Sequence, residues 1–192
     1  MIETFLSPFL FSTLVPNHQS IKEEFLPSIK STLELNKDLY LKNKKNSGWN
    51  SNVYTSFDYE LKFLSDKSFM KSVVWDPLDK FLDEAKGKRI LRNHPSSFRC
   101  DSIWFNYYET GGFQEVHDHL NGDDCLYSGI YLMHLDCPNT TAFLSRHANI
   151  FLTETKTTEK YPEGTVLIFP SELLHYVNPV EKTKYTISFN IK

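Results

Sequence analysis

The stretch Lys184-Tyr-Thr-Ile-Ser-Phe-Asn-Ile191, close to the end of the 192-residue chain, decides the fold class. Tyr185, Ile187, Phe189 and Ile191 alternate with Lys184, Thr186, Ser188 and Asn190. Successive side chains of a strand point to opposite faces, so this segment reads as a strand with one apolar and one polar face. Two readings of the polar face stay open. It meets water, or it lines the inside of a barrel and surrounds a charged ligand. Upstream, strand-like runs cover 102–109, 113–118, 126–134, 141–144, 165–169 and 173–178. Turn signals separate them: Gly111-Gly112, Asn121-Gly122-Asp123-Asp124, Pro138-Asn139, Pro162-Glu163-Gly164, Pro170-Ser171 and Pro179. Short strands at this spacing, with no helices between them, predict a sandwich or jelly roll rather than a parallel α/β sheet.

The first hundred residues read differently. Ile21, Phe25, Ile29 and Leu33 recur every four residues and form one apolar helical stripe. Ser20 and Glu23 have capping-box spacing, and Pro27 predicts a kink or a later start. A second helix is marked by Asp76 as cap, Pro77 in the first turn, an apolar face of Leu78, Phe81, Leu82 and Ala85, and Gly87 as stop. The segment 37–46 is basic and polar and reads as a solvated connector. The expectation is a mainly β single domain over 1–192, with a helical support region (1–100) and a jelly-roll core (101–192).

Composition narrows the function. The net charge of −3 argues against a nucleic-acid binder, and arginine is confined to Arg89, Arg92, Arg99 and Arg146. Three cysteines without a C-x-x-C pair exclude a disulfide scaffold and fit a reducing compartment. No apolar run approaches a membrane span, and Glu3 stands where a secretion signal carries a base. The expected location is the cytoplasm, with no nucleic-acid or membrane partner.

Three histidines carry the candidate chemistry. His117 and His119 lie in Glu115-Val-His-Asp-His-Leu120, and i, i+2 spacing on a strand puts both on one face. His175 lies far downstream in another strand-like run. Neutral imidazole ligates Fe, Zn, Ni or Cu, and two ligands from one strand with a third from a neighbour clamp one face of a metal and leave the other open. The polar face of the last strand adds weight to a ligand-lined interior. His18, His94, His134 and His147 read as structural or surface residues.

The run Phe105-Asn-Tyr-Tyr-Glu-Thr-Gly-Gly-Phe-Gln-Glu-Val-His-Asp-His119 resembles the 2-oxoglutarate- and Fe(II)-dependent oxygenases of the prolyl-hydroxylase type, with Tyr108-Glu-Thr-Gly111 before His117-Asp-His119. Ser128-Gly-Ile-Tyr131, Gly164-Thr-Val-Leu-Ile-Phe-Pro-Ser-Glu-Leu-Leu-His175, Lys184-Tyr-Thr-Ile-Ser-Phe-Asn190 and Trp49-Asn-Ser51 are similar to motifs of a branch common in marine bacteria and their phages. The resemblance implies a double-stranded β-helix, Fe(II) as metal, 2-oxoglutarate and O₂ as co-substrates, and succinate, CO₂ and a hydroxylated product. It suggests a peptidyl side chain as substrate, and a host cytoplasm if the chain is phage-encoded. His117 matches the first ligand and His175 the distal one. At the second position the family at large has Asp or Glu, whereas this chain has His119; Asp118 competes with it. Lys184 matches the basic residue that grips the distal carboxylate of 2-oxoglutarate, and Thr186 a hydroxyl donor to it. Tyr108, Tyr127 and Tyr131 are candidates for a phenol to the co-substrate and equally for core aromatics, and Gly129 shares a face with the last two. Asn106 and Asn190 are candidate polar lining, and Asp123 and Asp124 read as turn residues. Two rival functions remain: a three-histidine metal protein that does not use 2-oxoglutarate, and a non-catalytic jelly-roll structural or binding protein.

Overall fold

The computed structural model describes residues 9–43, 45, 49–87, 97–120, 125–146 and 153–192. The expected turn at 121–124, with Asp123 and Asp124, lies outside them, as do His94, His147, Arg89 and Arg92. Eleven strands are described: β1 (Phe11–Leu14), β2 (Leu41–Lys42), β3 (Val53–Thr55), β4 (Cys100–Tyr108), β5 (Gln114–His117), β6 (Tyr127–Leu135), β7 (Thr141–Arg146), β8 (Thr153–Thr157), β9 (Thr165–Pro170), β10 (His175–Val177) and β11 (Lys184–Ile191). They pair antiparallel in two sheets, ordered β1-β9-β6-β11-β4-β3-β2 and β5-β10-β7-β8. This is the expected jelly roll. The short strands β1 to β3 join the large sheet from the helical half.

Strand β11 lies in the middle of the large sheet, between β4 and β6, and all eight of its residues are buried. Its two faces do different work. Tyr185, Ile187, Phe189 and Ile191 pack in the largest core cluster with Ile21, Phe25 and Ile29 of the helix α1 (His18–Leu35). Lys184, Thr186, Ser188 and Asn190 are buried too, on the face toward the smaller sheet. The polar face therefore lines the barrel interior rather than meeting water. A second apolar cluster, with Ile130, Leu132, Phe143, Leu167 and Phe169, fills the space between the sheets.

Two helix ends differ from the expectation. Helix α1 begins at His18, ahead of Ser20, and runs through Pro27. Glu23 and Pro27 both lie on its exposed face, so the carbonyl left without a partner by proline faces solvent. The buried stripe of Ile21, Phe25, Ile29 and Leu33 outweighs that loss. Asp76 is not a cap. The helical path starts ten residues earlier, where Asp66 Oδ1 accepts from Ser68 N (2.8 Å) and Phe69 N (3.2 Å), and a π-helical stretch Lys71–Trp75 leads into the helix Asp76–Gly87. Pro77 follows a ladder that the π turn has already displaced.

Gly129 has a packing reason rather than a ligand. It pairs with Phe189 across β6 and β11, and a Cβ there would meet the Phe189 ring at 2.0 Å. Phe189 is fully buried, so the ring has no free space to retreat into. Gly129→Ala is expected to destabilise the fold by about 1–3 kcal/mol, as overpacked cores do, measured by denaturant unfolding.

Candidate metal centre and its two cavities

Strands β5 and β10 bring the first and third histidines together, with His175 directly opposite His117. His119 falls two residues past the end of β5, where its N–H donates to Ser171 O at 2.9 Å. Ring centroids lie 4.2 Å apart for His117–His175, 4.9 Å for His119–His175 and 5.6 Å for His117–His119. One ligand nitrogen from each ring lies within 4.8 Å of the others. Among the described residues this is the one such cluster of histidine, cysteine and carboxylate groups. Asp118 is not in it; its Oδ1 accepts from Leu120 N at 3.0 Å.

The outer nitrogens define the inner ones. His117 Nδ1 lies 2.7 Å from Glu115 O, His175 Nδ1 3.0 Å from Leu173 O, and His119 Nδ1 2.8 Å from Asn190 Oδ1. A carbonyl oxygen can only accept, so each Nδ1 carries the proton and each Nε2 keeps its lone pair for the cluster. Burial pushes all three histidines below the ordinary value. It takes His119 down to about 4, with the neighbouring His117 adding to the effect, and His175 well below the usual range. Three neutral rings with converging lone pairs suit a divalent metal.

An enclosed cavity continues inward from the rings. Asn106, Tyr108, Thr141, Thr186 and Ser188 line it. Lys184 reaches its wall through two of these residues, with Nζ 2.9 Å from Thr141 Oγ1 and 5.2 Å over the Tyr108 ring. Lys184 is fully buried, and no carboxylate among the described residues lies within ion-pair range of it. Burial lowers its pKa to about 7. An ammonium without an anion, beside the Thr141 hydroxyl, suits the carboxylate end of a small diacid, because a buried charge is costly until it is paired. The Asn106 Oδ1 atom is also buried and unpartnered. The donor set thus suits a metal and the carboxylate of a diacid, while the inner cavity as it stands, about 20 Å³, has space for roughly one water.

A second, open cleft lies on the other side of the rings, walled by Trp49, Phe57, Trp104, His117 and His119. Its rings run in one arc. Trp49 and His117 centroids are 5.8 Å apart, His119 and Trp104 5.4 Å, and Trp104 and Phe57 4.9 Å. Trp49 and Phe57, at the two ends, are each 42% exposed. Gln114 lines both cavities and accepts from Tyr108 Oη at 2.8 Å.

Most of the expected site residues converge here: His117, His119, His175, Tyr108, Lys184 and Thr186 surround one interior. Tyr131 does not. It lies on the helix-covered face of β6, where its hydroxyl is 2.6 Å from His18 Nδ1, and its expected role at the co-substrate is corrected to a core one. His18 in turn contacts Glu163, which also takes Lys22 Nζ at 2.5 Å. Burial alone would raise the Glu163 carboxyl; bonds from Lys22, His18 and Leu135 N outweigh it and hold it at about 2. Tyr127 shares the helix face, packed edge-on or tilted against Phe9, Phe81 and Phe98. The period-2 alternation that separates the faces of β11 applies equally to β6, and the polar Ser128 marks the interior parity there. Thr141, Gln114 and Trp104 were not singled out from the sequence. A lone threonine, glutamine or tryptophan in a strand carries no local signal of what it faces.

No family model matches the sequence, and neither does any curated protein. The fold has solved counterparts. A viral collagen prolyl hydroxylase from Paramecium Bursaria Chlorella virus-1, solved with 2OG, aligns with TM-score 0.54 and 12% identity over 95% of this chain and 95% of that one. A Trichoplax adhaerens prolyl hydroxylase in complex with a hypoxia inducible factor oxygen degradation domain peptide fragment gives 0.53 and 12%, covering 95% and 82%. A non-heme alpha ketoglutarate dependent carbocyclase of nogalamycin biosynthesis gives 0.61 and 10%, covering 95% and 78%. The chain therefore carries the jelly-roll fold of the 2-oxoglutarate-dependent non-haem oxygenases, in a form similar to that of the prolyl hydroxylases.

Proposed function

We propose that the protein is an Fe(II)- and 2-oxoglutarate-dependent dioxygenase that hydroxylates a substrate presented in the aromatic cleft. The carrying observation is that three inward-facing Nε2 atoms and one unpaired buried ammonium serve the same interior. His117, His119 and His175 hold the metal, and Lys184 with Thr186 and Thr141 holds the distal carboxylate of 2-oxoglutarate. Tyr108, braced by Gln114, closes the wall between the two cavities. When bound, Fe(II) and 2-oxoglutarate supply the activation of O₂, with succinate and CO₂ as by-products.

The chain's own residues bind, orient and exclude water. The inner cavity is small, so a diacid seats there only as the lining side chains give way, and its entry displaces solvent from around the rings. Trp49, Trp104 and Phe57 receive the substrate on the exposed side. A peptidyl side chain suits a cleft of this kind, and the peptide-bound neighbour described above acts as a precedent for the fold. Among the described residues no helix is long and apolar enough to cross a membrane, and Cys100, Cys125 and Cys137 are all free thiols. The free thiols accord with a cytoplasmic location.

Succinate formation distinguishes this function from its rivals. Purified protein with Fe(II), 2-oxoglutarate and O₂ is expected to convert 2-oxoglutarate to succinate slowly even without substrate, and a His117→Ala variant is expected not to. Tight binding of zinc or nickel with no succinate favours a metal protein of other chemistry. Absence of metal from the untagged protein favours a structural role.

A further inference from the structure

We infer that Asn190 is the positioning residue of the second histidine: its amide oxygen holds His119 with the proton on Nδ1 and the Nε2 lone pair turned into the cluster, and Ser128, backed by Ser171, donates a second hydrogen bond to the same oxygen. The inference rests on the metal-centre reading above and assigns a residue outside the ligand set.

Three observations carry it. First, the partners of the three rings differ in kind. His117 and His175 donate to backbone carbonyls two residues earlier in the chain, Glu115 within β5 and Leu173 just before β10, which the local chain path fixes. His119 alone depends on a side chain, from a strand of the other sheet. It also lies past the end of β5, so strand register does not set its ring.

Second, Asn190 Oδ1 accepts twice, from His119 Nδ1 at 2.8 Å and from Ser128 Oγ at 2.8 Å. Ser128 Oγ lies 2.9 Å from Ser171 Oγ. A hydroxyl has one proton. Having given it to Asn190, Ser128 must accept from Ser171, so the relay runs in one direction, from Ser171 through Ser128 to Asn190. Ser171 closes the loop, because its carbonyl accepts the backbone N–H of His119. His119, Ser128, Ser171 and Asn190 are all buried, so water does not compete for these bonds. The opposite amide orientation would aim an N–H₂ at Nδ1. The ring proton would then move to Nε2 and the ligand would be lost.

Third, all three outer partners are neutral oxygens. A carboxylate behind a ligating histidine raises ring basicity; an amide oxygen orients the ring without that charge. Asn190 is thus the position at which the outer partner of this centre can be changed by substitution.

The test uses two measurements that need neither 2-oxoglutarate nor O₂, so its failure is separate from failure of the oxygenase reading. Nitrogen-15 NMR of the metal-free wild-type protein is expected to show His119 protonated at Nδ1 and bare at Nε2. Co(II) titration followed by visible absorption is expected to show Asn190→Ala binding about 10–100-fold more weakly than wild type. Asn190→Asp, which keeps the acceptor, is expected to restore wild-type affinity or exceed it. Ser128→Ala is expected to weaken binding less than Asn190→Ala does. A wild-type His119 protonated at Nε2, equal Co(II) affinity in Asn190→Ala, or no rescue by Asn190→Asp would each overturn the inference. The wild-type tautomer needs no variant, so a misfolded Asn190→Ala leaves the test decisive.

Discussion

Replacing His175 by alanine is expected to abolish turnover and to weaken Fe(II) binding by at least about 100-fold, beyond the roughly 10–100-fold that changes behind a ligand cause. The reason is geometric. His175 is 2% exposed, lies opposite His117 in the β5–β10 pairing and supplies the Nε2 that comes from a different strand. Without it the remaining pair comes from one short segment and no longer closes a face around a metal. Calorimetric titration of metal-free protein with Fe(II) under anaerobic conditions measures the loss. His134→Asn is the control, because His134 sits with Asp136 and Glu163, both 3.2 Å away, and not in the cluster. Wild-type affinity in His175→Ala would remove the metal centre from the account.

The second large effect concerns Lys184 and has two opposite signs. Without ligand, the buried ammonium is a liability. Burial lowers its pKa from 10.5 to about 7, so the folded protein favours the neutral amine while the unfolded chain favours the cation. The unfolded state then binds more protons between pH 7 and 10.5, and stability rises with pH through that window. Below about pH 7 the penalty is present in full. Lys184→Met is accordingly expected to be more stable than wild type at pH 7, by about 1–4 kcal/mol, as when buried charges give way to apolar residues of similar size. With 2-oxoglutarate the sign reverses. The carboxylate supplies the missing anion, and removing the ammonium then strands a buried charge, at about 3–5 kcal/mol. That corresponds to a loss of about two to four orders of magnitude in 2-oxoglutarate affinity. In wild type the pair requires a protonated amine, so affinity is expected to fall as pH rises above about 7, by up to about tenfold per pH unit. Thermal shift with and without 2-oxoglutarate across pH 6–9 reads both effects. A destabilised Lys184→Met that binds 2-oxoglutarate as tightly as wild type would refute this role.

Much of the site was legible because period-2 alternation is a strong signal when a strand is long and both of its faces have a defined neighbour. Strand β11 meets that condition, and the parity of its residues placed Lys184, Thr186, Ser188 and Asn190 on one face before any partner was known. The spacing of His117 and His119 works the same way, and the third histidine followed from its own strand. What failed to show had equally physical causes. Strands β1, β2 and β3 are two to four residues long, too short for any period, and exist because they pair with β9, with β4 or with each other. Tyr131 was open between core and ligand because a tyrosine satisfies both environments; the parity of β6 sets its face, and its contact with His18, 113 residues away in sequence, gives its hydroxyl a partner there. The N-cap at Asp66 was obscured by the stronger-looking Asp76-Pro77 pair. Pairings across sheets, such as Asn190 with His119 or Lys184 with Thr141, leave no trace in local sequence pattern.

The measurement closest to the central claim is an anaerobic titration of metal-free protein with Fe(II) and then 2-oxoglutarate, followed in the visible range. The expected result is a metal-to-ligand absorption band that appears only when both are present, saturates at one equivalent of each, and is lost in His175→Ala. A wild-type protein that stays colourless at saturating Fe(II) and 2-oxoglutarate would contradict it.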